Sequence, residues 1–145
     1  MEFDFEEEPD YVEYMLEQVQ EMGFHPIIAH PERYECVKRN PQCVYEWRRK
    51  GFFTQVNKGS FQGRFGRGAK QVAHDLLRHN LISVIASDAH SPYRRTPYMR
   101  EVYEELAWSY PELDLKILFE ENPLRILENQ PLIRLKERPF FEEMW

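Results

Sequence analysis

Three short apolar runs, separated by segments of helical periodicity, constrain the fold of this chain most strongly. The runs occupy residues 26–29, 52–57 and 82–87, and each has the length and composition of a β-strand. Their apolar character suits strands that are buried on both faces. Alternation of such strands with helices predicts parallel strands joined by crossover helices, and hence an α/β fold.

Helical segments are predicted on both sides of each run. The first begins at Pro9 and ends before Gly23, with apolar residues at helical intervals: Val12, Met15, Leu16, Val19 and Met22. Further helices are expected over residues 40–50, 69–80, 98–110 and 115–129. Residues 58–70 are expected to form a glycine-rich loop. The first five residues resemble the end of one more strand.

Polar side chains lie where the predicted strands end. They are Glu2, His30, Asn57, Asp88 and His90. In open parallel sheets and in barrels the carboxyl ends of the strands meet at one edge, where active sites lie. The sequence therefore predicts a functional site at this edge of the sheet.

Four of these residues are predicted metal ligands. Asp88 and His90 would face the same side of an extended segment, so both could reach one metal cluster. His30 ends a neighbouring strand and Glu2 follows the apparent first strand. Carboxylates with imidazoles suit manganese, iron or zinc. The alternative for any single histidine is a surface group or a hydrogen-bonded core group, which is how we interpret the three other histidines, His25, His74 and His79.

Two arginines follow the candidate ligands closely. Arg33 comes three residues after His30, and Arg95 five residues after His90. A guanidinium presents a planar fork of donors that matches phosphate oxygens, so the pair suggests a phosphate ester substrate. Structural ion pairs are the alternative, with Glu32 or Glu35 as the partner of Arg33. Spacing alone does not separate Arg95 from the adjacent Arg94.

The glycine-rich segment "KGSFQGRFGRG" does not match either glycine-rich nucleotide-binding motif. It is interpreted as a flexible loop bordering the site, with Arg64 and Arg67 as solvated charges. The aromatic residues Trp47, Phe52 and Phe53 are expected to pack in the core.

Composition limits the remaining function classes. A chain of 145 residues with 42% hydrophobic residues can bury one core. A net charge of -6 argues against nucleic-acid or membrane-surface binding, and no apolar stretch is long enough to insert into a membrane. Cys36 and Cys43 form neither a zinc motif nor a disulfide framework, which is consistent with a reducing cytoplasm.

Four phrases of the sequence together resemble one family. "GFHPIIAHPERY", "TQVNKGSFQGRFGRGAKQVAHDLL", "VIASDAHSPYRRTPYM" and "ENPLRILEN" occur in this order. They resemble the PHP (polymerase and histidinol phosphatase) superfamily. Within it, the chain is similar to the manganese-dependent protein tyrosine phosphatases of bacterial capsule and exopolysaccharide loci.

The resemblance implies a distorted (β/α)₇ barrel with up to three Mn²⁺ ions, Fe²⁺ and Zn²⁺ being alternatives, at the carboxyl ends of the strands. By motif, the expected metal ligands are Glu2, His30, Asp88 and His90. Arg33 and Arg95 match the arginines that hold the substrate phosphate. The implied reaction is hydrolysis of phosphotyrosine on the tail of a bacterial tyrosine kinase.

The sequence departs from the family pattern at its start. The H-x-H phrase of the first family strand does not occur, and roughly the first hundred family residues have no counterpart. We therefore expect one partial PHP domain over residues 1–145, roughly the last four β/α units, with residues 130–145 as a tail. Exposed sheet edges would favour self-association. The alternatives are a small-molecule phosphoesterase of the histidinol-phosphatase type and a catalytically inert fragment that acts in assembly.

Overall fold

The structure is a computed structural model that describes residues 1–141. Its eight α-helices are α1 (Pro9–Glu21), α2 (Glu35–Arg39), α3 (Gln42–Arg49), α4 (Lys58–Phe61), α5 (Arg67–Arg78), α6 (Arg100–Ala107), α7 (Glu112–Lys116) and α8 (Asn122–Leu127). The strands are β1 (Ile27–Ala29), β2 (Phe53–Asn57) and β3 (Val84–Ala86). A 3₁₀ turn spans Pro31–Arg33, and a π-helical turn spans Ile117–Glu121.

The three strands form one parallel sheet in the order β1-β2-β3. Ile28 pairs with Thr54, and Val56 pairs with Ile85. The α/β prediction is therefore confirmed, and all three apolar runs form strands. Each strand carries at least one fully buried residue, because the helices cover the sheet.

The first five residues do not form the predicted strand. Met1 nevertheless extends the sheet beside β1, since its amino group donates to the Ile27 carbonyl at 2.6 Å and its carbonyl accepts from the Ala29 N–H at 2.8 Å. This is the hydrogen-bond pattern of one parallel bridge opposite Ile28. The sheet thus has three strands in residues 1–141, with a single bridging residue at the β1 edge.

Helix α1 shows how local signals set its bounds. Pro9 occupies the first helical position, and Gly23 adopts a φ of +90° just beyond the helix. The predicted apolar face is buried at Val12 and Leu16. Met22 is instead 70% exposed, because the helix ends at Glu21 and Met22 turns away from the core.

The glycine-rich segment is more ordered than the sequence suggested. Its first four residues form α4 and are all buried, and its last residues start α5. Gly66 precedes α5 with a φ of +94°, which a residue with a side chain adopts only with strain. The prediction of a flexible loop is wrong for α4, because packing onto the ends of β2 and α5 holds it.

The core lies between the sheet and the surrounding helices. Trp47 and Phe52 are fully buried and Phe53 is half-buried, so the expectation of core packing is confirmed. Cys36 and Cys43 are both free thiols, as the sequence indicated.

The last described residues pack on the domain without a regular helix or strand. The Asn122 side chain donates to the Ile133 carbonyl at 3.0 Å and accepts from the Ile133 N–H at 2.8 Å. The Phe140 N–H donates to the Gln42 side chain at 2.8 Å. The predicted tail over residues 130–145 lies partly outside the described residues, from 142 onward. Across residues 1–141, every helix is too short or too polar to cross a membrane.

His74 on α5 behaves as a packed structural histidine. Its Nδ1 lies 3.0 Å from the Tyr110 hydroxyl, and its ring contacts Phe61 edge to face. Burial, and then the nearby Arg78 and Lys70, lower the pKa of His74 below its usual 6.5, against the opposing effects of the Phe61 backbone and Asp75. The folded protein therefore favours the neutral ring.

We expect the contribution of His74 to stability to be complete above pH 6.5 and to be lost as the pH falls through the lower folded-state pKa. Urea unfolding between pH 5 and pH 8 tests this for the wild type and His74→Gln. The difference in unfolding free energy between the two proteins should shrink on acidification, and a constant difference would contradict the assignment.

Candidate functional site

The carboxyl ends of the three strands bring the predicted polar residues to one edge. His30 follows β1, Asn57 ends β2, and Asp88 lies two residues beyond β3. The Asn57 side-chain amide donates to Asp88 Oδ2 at 3.0 Å, which links the second and third strand ends. The parallel register therefore places these residues together as expected.

His30 is held rigidly at the end of β1. Its backbone N–H donates to the Gln55 carbonyl at 2.7 Å, and its side chain is almost fully buried between the rings of Phe5 and Tyr34. Its Nε2 lies 3.2 Å from Glu2 Oε1. The predicted ligands His30 and Glu2 are thus neighbours.

The N-terminal segment is fastened over this histidine by backbone contacts. The Phe3 N–H donates to the Tyr34 hydroxyl at 3.0 Å, and the Glu35 N–H donates to the Phe5 carbonyl at 2.9 Å. Burial raises the pKa of Tyr34 to about 12, so its hydroxyl keeps its proton. These contacts fix the direction in which Glu2 and Phe5 approach the site.

Asp88 and His90 approach one another in a different way from the predicted one. The segment is not extended, because β3 ends at Ala86 and Asp88 has a φ of +48°. Instead, His90 Nδ1 lies 2.7 Å from the Asp88 backbone carbonyl. A bond of this kind orients the imidazole and leaves Nε2 available for a ligand.

Three residues of the predicted site have a left-handed backbone. The φ values of His30, Asp88 and Arg95 are 38°, 48° and 48°. Asn80 and Asn129 share this region, and asparagine, aspartate and histidine enter it more readily than other residues with a side chain. Arg95 is therefore the position at which a left-handed backbone is most unusual.

The donor chemistry of these residues fits a divalent metal. His30 presents Nε2 to Glu2 Oε1, so Nε2 is the nitrogen that would bind a metal shared with Glu2, while its buried Nδ1 has no hydrogen-bond partner in residues 1–141. The donors meet in pairs, Glu2 with His30 and Asp88 with His90. Within the described chain, no group of three or more histidine, cysteine or acidic side chains is arranged around one metal position. The fit is therefore one of ligand type and does not extend to a complete coordination shell.

Arg33 lies on the 3₁₀ turn after His30 and stacks between two aromatic rings. Its guanidinium carbon sits 4.5 Å from the ring centre of Phe5 and 4.0 Å from that of Phe65. Among residues 1–141 it has no carboxylate within ion-pair distance. Glu35 pairs instead with Lys38 at 3.0 Å, and Glu32 accepts two hydrogen bonds at the end of β2. The ion-pair alternative for Arg33 therefore finds no support.

Arg95 is engaged differently, through an ion pair with Asp88 Oδ2. Its guanidinium also lies 5.2 Å from the ring centre of Phe65. Arg94 is exposed and contributes a backbone N–H that donates to the Ser91 hydroxyl at 2.8 Å. The geometry thus separates the two arginines, and Arg95 is the one at the site.

Glu32 is a buried residue of the site that sequence reasoning treated only as a partner for Arg33. Its Oε1 accepts from the Asn57 backbone N–H at 3.0 Å and from the Ser60 hydroxyl at 2.9 Å. Burial raises the pKa of Glu32 to about 7, although these two hydrogen bonds and Arg33 act in the opposite direction. The sequence indicates this residue only by its position directly after the His-Pro pair that ends the first predicted strand.

Lys58 is a second missed residue. Its ammonium group donates to the Thr96 hydroxyl at 3.2 Å and to the Tyr98 carbonyl, so the start of α4 holds the segment that carries Arg95. Burial, and then Arg64, lower the pKa of Lys58. The sequence indicates Lys58 only by its position directly after the end of a predicted strand, in the segment that we interpreted as a loop.

Comparison with known proteins identifies the family to which this chain is similar. A family model described as capsular polysaccharide synthesis, CpsB/CapC, matches residues 1–128. The tyrosine-protein phosphatase YwqE of Bacillus subtilis is 34% identical over 139 residues, which cover 96% of this chain and 54% of that protein. The tyrosine-protein phosphatase CpsB of Streptococcus pneumoniae is 35% identical over 120 residues, covering 79% of this chain and 49% of its own length.

A solved structure has the same fold. It comes from crystal structures of YwqE and CpsB, described as unique metal-dependent tyrosine phosphatases, and superposes with a TM-score of 0.87 at 33% identity. The superposition covers 97% of this chain and 57% of that one. The chain thus spans about half the length of the relatives that it matches.

Proposed function

The chain belongs to the CpsB/CapC family of capsular polysaccharide synthesis, and from this premise we propose that it acts as a metal-dependent phosphomonoester hydrolase on phosphotyrosine. The observation that carries the proposal is the unpaired guanidinium of Arg33 beside the histidine and carboxylates of the strand ends. A cation without a counter-ion next to candidate metal ligands is what a dianionic phosphate group requires.

The proposed metal ligands are Glu2, His30, Asp88 and His90. Manganese is the proposed metal, with iron and zinc as alternatives, because carboxylate and imidazole donors suit all three. Up to three ions would be held in a complete site. When bound, divalent metal supplies hydroxide near neutral pH and compensates charge on the phosphoryl group.

The remaining steps belong to the chain's own side chains. Arg33 would bind phosphoryl oxygens through donors that no carboxylate among residues 1–141 engages. Arg95 would do so from beyond the end of β3, while its ion pair with Asp88 holds that carboxylate in place. Two guanidiniums would also stabilise the charge that spreads over the phosphoryl oxygens in the transition state.

The architecture and partners follow from the same premise. We propose that residues 1–145 form one domain that corresponds to the carboxyl-terminal part of a PHP-type barrel. The proposed substrate is the tyrosine-rich tail of a bacterial tyrosine kinase, and the proposed location of the protein is the cytoplasm. Self-association would use the sheet edge at β3, because Met1 already pairs with the outer edge of β1.

An inert assembly role is a second candidate. It is favoured by the pairwise arrangement of the donors, because two ligands hold a divalent ion less firmly than a full set of three or more. In this case the strand-end residues would stabilise the fold and recognise a partner without turnover.

The experiment that separates the two candidates is a metal and activity measurement on the intact protein. Manganese-loaded protein should hydrolyse p-nitrophenyl phosphate and a phosphotyrosine peptide, and chelation should abolish both activities. Elemental analysis should find at least about one metal ion per chain. Less metal than this, together with no turnover, would support the assembly role and contradict the phosphatase.

A further inference from the structure

We propose that Phe65, in the glycine-rich segment, is a positioning residue that holds the guanidiniums of Arg33 and Arg95 for phosphate. This inference rests on the proposed phosphatase function and adds a role for a segment to which the sequence assigned none. Phe65 would act through the two arginines and would not touch the reacting atoms.

The contact geometry places one ring against both cations. The guanidinium carbon of Arg33 is 4.0 Å from the Phe65 ring centre, and that of Arg95 is 5.2 Å away. Both distances lie within the range of cation–π attraction. The two arginines come from different strand ends, 62 positions apart in the chain (95 − 33), so the ring is a physical link between them.

The segment around Phe65 is built to keep the ring in place. A Cβ atom at position 59 would lie 3.3 Å from Phe65 Cε2, so the ring packs directly on the backbone of Gly59 in α4. Gly59 itself is buried at the end of β2. Gly66, directly after the ring, has the positive φ that redirects the chain into α5. The ring is therefore fixed to the same strand end that carries Asn57.

Stacking leaves all the donors of Arg33 available to phosphate, whereas Arg95 also pairs with Asp88, which occupies some of its N–H donors. An aromatic face holds the cation and leaves its in-plane donors available. Arg33, which lies between the Phe5 and Phe65 rings, is the clearest example here.

The test compares Phe65→Leu with Phe65→Tyr in the intact protein. Leucine keeps an apolar side chain and loses the aromatic face, while tyrosine retains that face. The control is Phe24→Leu, the same exchange at an exposed site before β1. Inorganic phosphate is the probe, with affinity measured by calorimetry on metal-loaded protein. Arginine side-chain NMR signals are measured separately on metal-free protein.

Phe65→Leu should weaken phosphate binding about tenfold. It should also increase the mobility of both arginine side chains, seen as lower heteronuclear NOEs of the Nε–Hε signals of Arg33 and Arg95, with the melting temperature close to that of the wild type. Phe65→Tyr and Phe24→Leu should retain wild-type affinity and signals. If Phe65 served only in packing, Phe65→Leu would instead lower the melting temperature, and phosphate affinity would not depend on an aromatic side chain at this position.

The NMR signals keep the inference separate from the proposed function. Wild-type protein that fails to bind phosphate would contradict the phosphatase, and increased mobility of both arginine side chains in Phe65→Leu would still support the positioning role. Arginine side-chain mobility that stays unchanged in Phe65→Leu would overturn the inference, whatever the phosphate affinity.

Discussion

Asp88→Asn is expected to reduce turnover of a phosphotyrosine peptide on the order of a thousandfold. The carboxylate of Asp88 accepts hydrogen bonds from Asn57 and Arg95 and is a proposed metal ligand. Asparagine keeps the shape and one acceptor oxygen, and it removes the negative charge that a divalent metal requires. The bound metal per chain should therefore fall together with the rate, as measured by elemental analysis on the same samples.

The control for this exchange is Asp75→Asn on α5. Asp75 is a carboxylate that pairs with Arg78 three residues away, remote from the strand ends. It should retain wild-type turnover and metal content, because an exposed pair of this kind contributes little. An Asp88→Asn protein that keeps full metal content and more than about a tenth of the wild-type rate would contradict the proposed role of Asp88.

Much of the scaffold was predictable because its signals are local. The three strands follow apolar runs, and α1 begins at a proline and ends before a glycine. Helix α5 shows the expected burial of its apolar face, at Val72, Ala73, Leu76 and Leu77. The Met1 bridge to β1 was not predictable as such, because one residue that pairs across the chain leaves no periodicity in the sequence.

The position of the candidate residues at the strand ends was predictable, and their local geometry was predictable only in part. Topology alone places His30 and Asp88 at one edge, since parallel strands share a direction. The left-handed backbone of Asp88 was not predictable from an Asp-Ala-His phrase, which is compatible with an extended chain. Phe65 also escaped detection, because its contacts with Arg33 and Arg95 depend on how two distant loops fold toward it.

Glu32 is a further residue whose contacts could not be predicted, because they join segments that are distant in the sequence. Its side chain crosses from the end of β1 to the end of β2, where it accepts from Asn57 and Ser60. The same Asn57 donates its side-chain amide to Asp88 beyond β3. A single buried carboxyl group therefore begins a hydrogen-bonded connection that spans all three strand ends, and its loss should disturb the scaffold as well as the site.

Glu32→Ala is accordingly expected to lower the free energy of unfolding by about 3 kcal/mol. The exchange leaves the Asn57 N–H and the Ser60 hydroxyl without their acceptor in a fully buried position and opens a small cavity. Urea unfolding at one fixed pH measures this loss. Amide hydrogen exchange should show the largest loss of protection at Asn57, because its N–H donates directly to Glu32.

Two further variants separate the hydrogen bonds from the charge. Glu32→Gln keeps an acceptor oxygen for both donors and should stay within about 1 kcal/mol of the wild type. Glu35→Ala makes the same exchange three residues later, at a partly exposed carboxylate paired with Lys38, and should cost no more than about 1 kcal/mol. If Glu32→Ala proved as stable as the wild type, the cost of burying the carboxyl group would offset its two hydrogen bonds. Glu32 would then be retained for the site and not for the fold.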